Sequence, residues 1–234
     1  MFEVLAVTER WVLIDKHPDV SFHREDADIG LLDALRAATG LPALYPVHRL
    51  DAITSGLLLF ARDPATAAAL GRAWQAGEVG KLYLAIAPGK PSKKQGWVKG
   101  DMEKSRRGGW KLLHSRANPA VTWFDSVSLA PGLRLYLLRP YTGRTHQLRV
   151  ALKSLGAPIL GDALYGPAQH DSDRGYLHAA LLSFALDGQR WTYTCLPSRG
   201  QWFAQPDSQT QMAVLLAAGR ARLEAEMPTG STLD

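Results

Sequence analysis

Apolar residues recur along the chain with two spacings, strict alternation in short runs and three-to-four spacing in longer ones, and the changeovers outline the elements. Trp11-Val12-Leu13-Ile14-Asp15 reads as a first strand that ends in the turn Lys16-His17-Pro18-Asp19. Asp28 is placed to cap a helix over residues 29–39, with Leu32 and Leu35 on one face and Gly40 as the stop. Leu57 to Ala61 is uninterrupted apolar sequence, as expected of a strand covered on both faces. Asp63-Pro64 then opens a second helix with a capping carboxylate and a first-turn proline, running to about Gln75 before Gly77.

Lys81 to Ala87 alternates as a strand should, Leu82, Leu84 and Ile86 on one face and Lys81 beside Tyr83 on the other. A short hairpin around Gly108-Gly109 and strands near 121–128 and 133–139 follow. Leu148, Ala151, Leu152 and Leu155 keep helical spacing, with Thr145 as cap and Gly156 as stop. A glycine-punctuated loop spans 157–166. A strand beginning at Leu177 and one over Trp191 to Cys195 form a hairpin across Asp187-Gly188. The last helix covers about Ser208 to Glu226, and the tail from Pro228 is expected to fray. Helices and strands intermix without regular strand-helix-strand alternation, which predicts an α+β fold around a mixed, mainly antiparallel sheet.

The chain has 234 residues, 46% of them hydrophobic, enough for one large domain or two small ones. One cysteine, Cys195, excludes an internal disulfide framework and leaves no thiolate cluster for a structural metal. That usage suits a reducing cytoplasm, and no metal is expected. The first residues carry an early acid and no basic run, and no apolar stretch approaches the ~20 residues of a membrane span. Neither a secretion signal nor a membrane helix is expected.

Charge changes the picture more by its placement than by its total of +5. Residues 90–116 hold nine lysines and arginines against Asp101 and Glu103, a local +7 that leaves the rest of the chain at −2. Lys93, Lys94, Arg106 and Arg107 lie there, interleaved with Trp97 and Trp110. Cations that neutralise phosphate beside aromatic faces that stack on bases suit a nucleic acid. A solvated hairpin with surplus lysines is the plainer alternative.

Three stretches bear candidate chemistry. Val47-His48-Arg49-Leu50-Asp51, followed by Thr54-Ser55-Gly56, places a carboxylate in a turn directly before a buried strand; Asp51 could face a cleft or simply bind turn amides. Lys81 and Tyr83 put an ammonium beside a phenol, although an exposed sheet face carries such pairs routinely. In Thr142-Gly143-Arg144-Thr145-His146-Gln147, a glycine-arginine turn feeding a helix N-terminus suits a phosphate or carboxylate. It could equally be a capped helix with Arg144 on the surface and His146 in a polar core contact.

These stretches together, with Pro158-Ile159-Leu160-Gly161-Asp162, Tyr165-Gly166 and Leu177-His178-Ala179, resemble the RluA-type pseudouridine synthases from roughly Trp11 to Cys195. Two departures accompany the likeness. The turn at Lys16-His17-Pro18-Asp19 lacks the lysine-proline-alanine-glycine form, and there is no N-terminal extension large enough for an S4 RNA-binding domain.

The expected organisation is a catalytic domain over residues 1–205, with the helix and tail of 206–234, which lie outside the resemblance, packed on it. The resemblance implies isomerisation of uridine to pseudouridine in RNA, a tRNA or large-subunit rRNA stem-loop, by a cytoplasmic monomer without metal or organic cofactor. Asp51 would be the essential carboxylate, Arg144 its ion-pair partner, and Tyr83 the ring against uracil. Arg49 would fill the stack left by a flipped uridine or contact phosphate, and His48, Lys81, Thr142 and His146 would complete the RNA contacts. A hydrolytic glycosidase would need two opposed carboxylates, and only one stands out here. A binding module that kept the fold would not need a carboxylate at the centre of a polyanion site.

Overall fold

The computed structural model describes residues 1–21, 30–166 and 172–226. The elements run β1 (Phe2–Val7), β2 (Trp11–Lys16), α1 (Leu31–Thr39), β3 (Tyr45–Pro46), β4 (Thr54–Ala61), α2 (Pro64–Gln75), β5 (Gly80–Pro88), β6 (Gly96–Gly100), β7 (Met102–Lys104), β8 (Trp110–Leu112), β9 (Ala120–Ala130), β10 (Leu133–Pro140), α3 (Gln147–Ser154), β11 (Leu177–Leu186), β12 (Gln189–Thr194) and α4 (Pro206–Glu226). One large sheet has the order β1-β2-β4-β11-β5-β10-β9-β6, with β12 added beside β11 and β3 beside β4. β7 and β8 form a separate hairpin.

Every pairing in the large sheet is antiparallel except β4 with β11. The fold is therefore α+β with a mixed, mainly antiparallel sheet. At the parallel junction Gly56 faces Ala179 with φ 109°, and a Cβ there would stand 2.3 Å from the Ala179 carbonyl oxygen. Only glycine lets the two backbones approach so closely, directly downstream of Asp51.

β2 and β4 are buried along their whole length because both faces are covered. Val12, Ile14, Leu58 and Phe60 pack with Leu31 and Leu35 of α1, while Trp11, Leu13, Leu57 and Leu59 pack with Leu70 of α2. Within α1 the buried face is Leu31 and Leu35, one turn apart; Leu32 is only half-buried. The helix starts after Gly30, and the cap expected at Asp28 lies outside the described residues. α2 starts as its sequence suggests, the Asp63 carboxylate accepting Thr66 N–H at 2.8 Å and the Thr66 hydroxyl at 2.6 Å. α4 lays Met212, Leu215, Leu216 and Leu223 into the core shared by β5, β10 and β11. Among the described residues, no helix is long and apolar enough to cross a membrane.

α3 departs from expectation at its start. It begins at Gln147, not Thr145, and His146 precedes it in the left-handed region at φ 57°. The Gln147 side chain explains the shift: its Oε1 accepts the Arg144 N–H at 3.0 Å and the Thr142 hydroxyl at 2.7 Å. Its Nε2 donates to Val121 O and Thr122 Oγ1. A buried glutamine thus binds the turn to β9, and no side chain, that of Thr145 included, caps the helix.

Candidate active site

The turn before β4, the end of β10, the turn into α3 and the first strand residues of β5 meet around an open cleft of about 310 Å³. Asp51, Arg49, Lys81, Tyr83, Arg144, His146 and Arg149 all line it. Asp51 is the only acid among the described lining residues, surrounded by four permanent cations or ammonium groups. That balance favours an anionic ligand and leaves one carboxylate free for chemistry.

Asp51 is positioned from both sides. Its carbonyl accepts Thr54 N–H at 3.0 Å, which closes the turn. From below, the fully buried Lys16 donates Nζ to the Ala52 carbonyl at 3.1 Å and to His17 and Val20 carbonyls at 3.0 Å each. All three ammonium protons are used, and burial pulls the Lys16 pKa down to about 8. The resemblance offered no role for this lysine.

The guanidinium that meets Asp51 is Arg149, with Nη1 3.2 Å from Oδ2. Arg144, the expected partner, instead donates Nη2 to the Asn118 side-chain oxygen and stands exposed at the cleft mouth. The register of α3 causes the exchange, since a helix that begins at Gln147 places Arg149 in its first turn, facing Asp51. Asp162 completes the arrangement. It accepts Arg149 Nε at 2.7 Å and Nη2 at 2.8 Å in a forked pair, and takes Leu164 and Tyr165 N–H as well. Asp162 is inaccessible to solvent and Arg149 7% exposed, whereas Asp51 is 28% exposed. Burial alone would lower the Arg149 pKa, but the two carboxylates outweigh it and raise it. Gly161 makes the approach possible: it has φ 76°, and a Cβ would lie 1.9 Å from Arg174 O.

Tyr165 lies over this chain of charges, its ring 5.0 Å from the Arg149 guanidinium carbon. Its hydroxyl accepts Trp110 N–H at 2.8 Å and is 2.9 Å from His146 Nδ1. The β7–β8 hairpin is thereby tied to the cleft. With the phenol hydrogen directed at Nδ1, His146 carries its own proton on Nε2, and burial together with Arg149 lowers its pKa. Arg149, Asp162, Gln147 and Tyr165 were visible in the quoted runs as residues but carried no assigned role.

The other expected residues divide. Tyr83 keeps its place in the cleft wall, and burial with the nearby Asp51 charge pushes its hydroxyl pKa up, so it stays a neutral phenol. Lys81 also lines the cleft, its pKa lowered by burial. Arg49 is exposed and reaches Thr145 Oγ1 at 3.4 Å. His48 serves structure: its Nε2 accepts Leu59 N–H at 3.1 Å, and its ring stacks on Trp74 at 4.7 Å. Burial drives its pKa down to about 3, so it supplies no cation for phosphate. The Thr142 hydroxyl is likewise engaged, by Gln147 and Val121 N–H. Lys93, Lys94 and Arg106 are exposed and lie outside the cleft lining; the Arg107 side chain lies outside the described groups.

Among the described residues, one group joins metal-binding types, Asp15, His178 and Cys195, with donor atoms within 4.8 Å. The His178 ring is engaged by its neighbours, and Cys195 and Asp15 face each other. His178 Nδ1 contacts Ser55 Oγ at 2.8 Å and its Nε2 meets Cys195 O at 3.0 Å, while the Cys195 thiol points at Asp15 Oδ2. Burial, with the facing Asp15 carboxylate, pushes the thiol pKa up to about 12.

A mixed sheet carrying a cationic cleft with a single arginine-paired carboxylate is a frame suited to a polyanionic ligand. The chain belongs to the RNA pseudouridylate synthase family, whose pattern it matches over residues 10–154. It is 45% identical to an uncharacterised RNA pseudouridine synthase of Haemophilus influenzae over 92% of this chain and 96% of that one. It is 36% identical to the dual-specificity RNA pseudouridine synthase RluA of Vibrio cholerae over 65% of this chain and 64% of that one. The solved structure of human RNA pseudouridylate synthase domain containing 1 superposes with a TM-score of 0.77 at 25% identity, covering 94% of this chain and 95% of that one. The protein is thus an RNA pseudouridine synthase, an isomerase acting on RNA.

Proposed function

We propose that this enzyme converts uridine to pseudouridine in a structured RNA without a cofactor, and that Asp51 is its essential carboxylate. The observation that carries the reading is the placement of Asp51 as the only acid in the described cleft lining, ion-paired to an arginine that Asp162 holds fixed. The reaction breaks the N1–C1′ glycosidic bond, turns the freed uracil within the site, joins C5 to C1′, and then takes the proton from C5 while N1 gains one. A carboxylate kept next to a guanidinium can serve as nucleophile or as base in that sequence. Tyr83, a neutral phenol in the wall, packs against the ring while it turns. Arg49, exposed beside Asp51, enters the stack vacated by the flipped nucleotide, and flipping costs a few kcal/mol that such a contact offsets. Arg144, Lys81 and His146 bind the RNA around the target.

We further propose that the enzyme acts as a cytoplasmic monomer, with residues 1–205 as catalytic domain and the C-terminal helix as its support. Its target is a short stem-loop of tRNA type or of large-subunit rRNA. Mapping pseudouridines in total RNA from cells with and without the gene tests this. One site, lost on deletion and restored by the wild-type chain but not by Asp51→Asn, is the expected result. Restoration by Asp51→Asn would overturn the assignment of Asp51, and an unchanged map would overturn the cellular target.

A further inference from the structure

We propose that the sheet face beyond the cleft mouth is a stacking shelf that takes an unpaired base next to the uridine in the active site, with Trp97 as its floor. The inference rests on the enzyme's action on RNA and not on which RNA it modifies.

Trp97 and Tyr141 are the aromatic members of the exposed large hydrophobic residues in the described chain, 41% and 36% exposed, and they touch each other. Their ring centroids are 5.1 Å apart at 43°. Exposed aromatics scattered singly need no explanation, but two in contact at the edge of a polyanion site do. Strand register shows how the surface is made. Trp97 of β6 sits directly opposite Trp123 of β9, and Trp123 directly opposite Arg139 of β10. Residues directly opposite across antiparallel strands share a face, so Trp97, Trp123 and Arg139 form a row. Lys99, two residues along β6, shares that face and holds its ammonium 4.7 Å from the Trp97 ring.

Charge complements the aromatics. Arg139 lies 4.5 Å from the Tyr141 ring centre and Arg222 of α4 4.2 Å from that of Trp123. Among the described residues, Glu226 is the acid paired with these groups. It accepts the Tyr141 hydroxyl at 2.6 Å and pairs with Arg139 at 2.9 Å and Arg222 at 3.0 Å, so its charge is already matched twice. The last turn of α4 therefore locks Tyr141 and Arg139 in place, and among the described residues no carboxylate pairs with Lys99 on the shelf. An aromatic floor with a flexible ammonium over its face is a surface on which a single-stranded base can stack once the lysine swings aside to a phosphate. The shelf joins the cleft through the chain itself, because Pro140 and Thr142, on either side of Tyr141, both line it.

The test measures binding without turnover, so it does not depend on Asp51. Two fluorescein-labelled probes are used, an RNA hairpin with an unpaired oligouridine loop and a blunt duplex of equal length. Trp97→Ala should weaken hairpin affinity about tenfold, leave duplex affinity within about twofold, and Trp97→Phe should retain most of the hairpin affinity. Lys99→Ala should lower the slope of log affinity against log salt by about one on the hairpin. Equal loss on both probes with Trp97→Ala, or no loss on the hairpin, would overturn the shelf. So would Trp97→Phe behaving like Trp97→Ala while melting at the wild-type temperature.

Discussion

Arg149 behind Asp51 and the lysines and arginines of residues 90–116 carry the same charge but are held in opposite ways. Arg149 is buried, forked onto a carboxylate that sees no solvent, and has one nitrogen left for Asp51. Lys93, Lys94 and Arg106 stand exposed and outside the cleft lining. In a low-dielectric setting a fixed charge acts strongly on its neighbour, whereas exposed charges are screened within about 10 Å at ordinary salt. On the proposed function one region sets chemistry and the other affinity, and the two can be separated experimentally.

Arg149→Met should have the largest effect on the first region. It leaves buried Asp162 without its forked partner, a type of loss that costs about 3–5 kcal/mol. Denaturant unfolding should show that loss together with collapse of activity. Arg144→Ala, at the exposed cleft mouth, should change stability by less than about 1 kcal/mol and reduce activity through weaker substrate binding. Equal destabilisation by the two variants would erase the distinction between them.

Lys16 predicts a pH dependence. Its folded pKa of about 8 lies below its ordinary 10.5, so the charged lysine opposes folding below that window and the opposition lifts as pH rises through it. The neutral amine, however, has one N–H fewer for the three carbonyls, and Ala52, next to Asp51, is among them. Turnover should fall as pH rises through about 8 while the melting temperature holds or rises, and Lys16→Met should abolish that limb. A parallel fall of both quantities would contradict the positioning role.

The smallest effect belongs to the basic segment. Charge reversal at Lys93, Lys94, Arg106 and Arg107 should weaken RNA binding and flatten its salt dependence, with stability nearly unchanged. An unchanged salt slope would return the segment to plain solvated surface.

Much of this was legible in the residues. The β2 and β4 runs, the Asp63-Pro64 helix start, the mixed sheet and the clustering of Asp51 with Tyr83 all follow from local pattern and motif. The partner of Asp51 did not. Arg144 and Arg149 stand in one run, and the choice between them depends on where α3 begins. That start is fixed by a left-handed His146 and by Gln147 bonds to Val121 and Thr122, contacts to a strand distant in sequence. Local propensity favours Thr145 as cap and has no access to those bonds. Asp162 and Lys16 were hidden for the same reason, since each acts through groups that only folding brings near. His48 lines the cleft, but its ring is also a hydrogen-bond acceptor for β4, which a motif position does not reveal.

The central claim is that Asp51, fixed by Arg149, performs the chemistry while other groups bind the RNA. Single-turnover pseudouridine formation by Asp51→Asn, measured by mass spectrometry on an RNA that the wild-type enzyme modifies, tests it most directly. The amide keeps the shape and can still accept from Arg149. The expected result is a rate lower by on the order of 10³-fold or more, with RNA affinity within about threefold of wild type. A wild-type rate of pseudouridine formation in the Asn variant would contradict it.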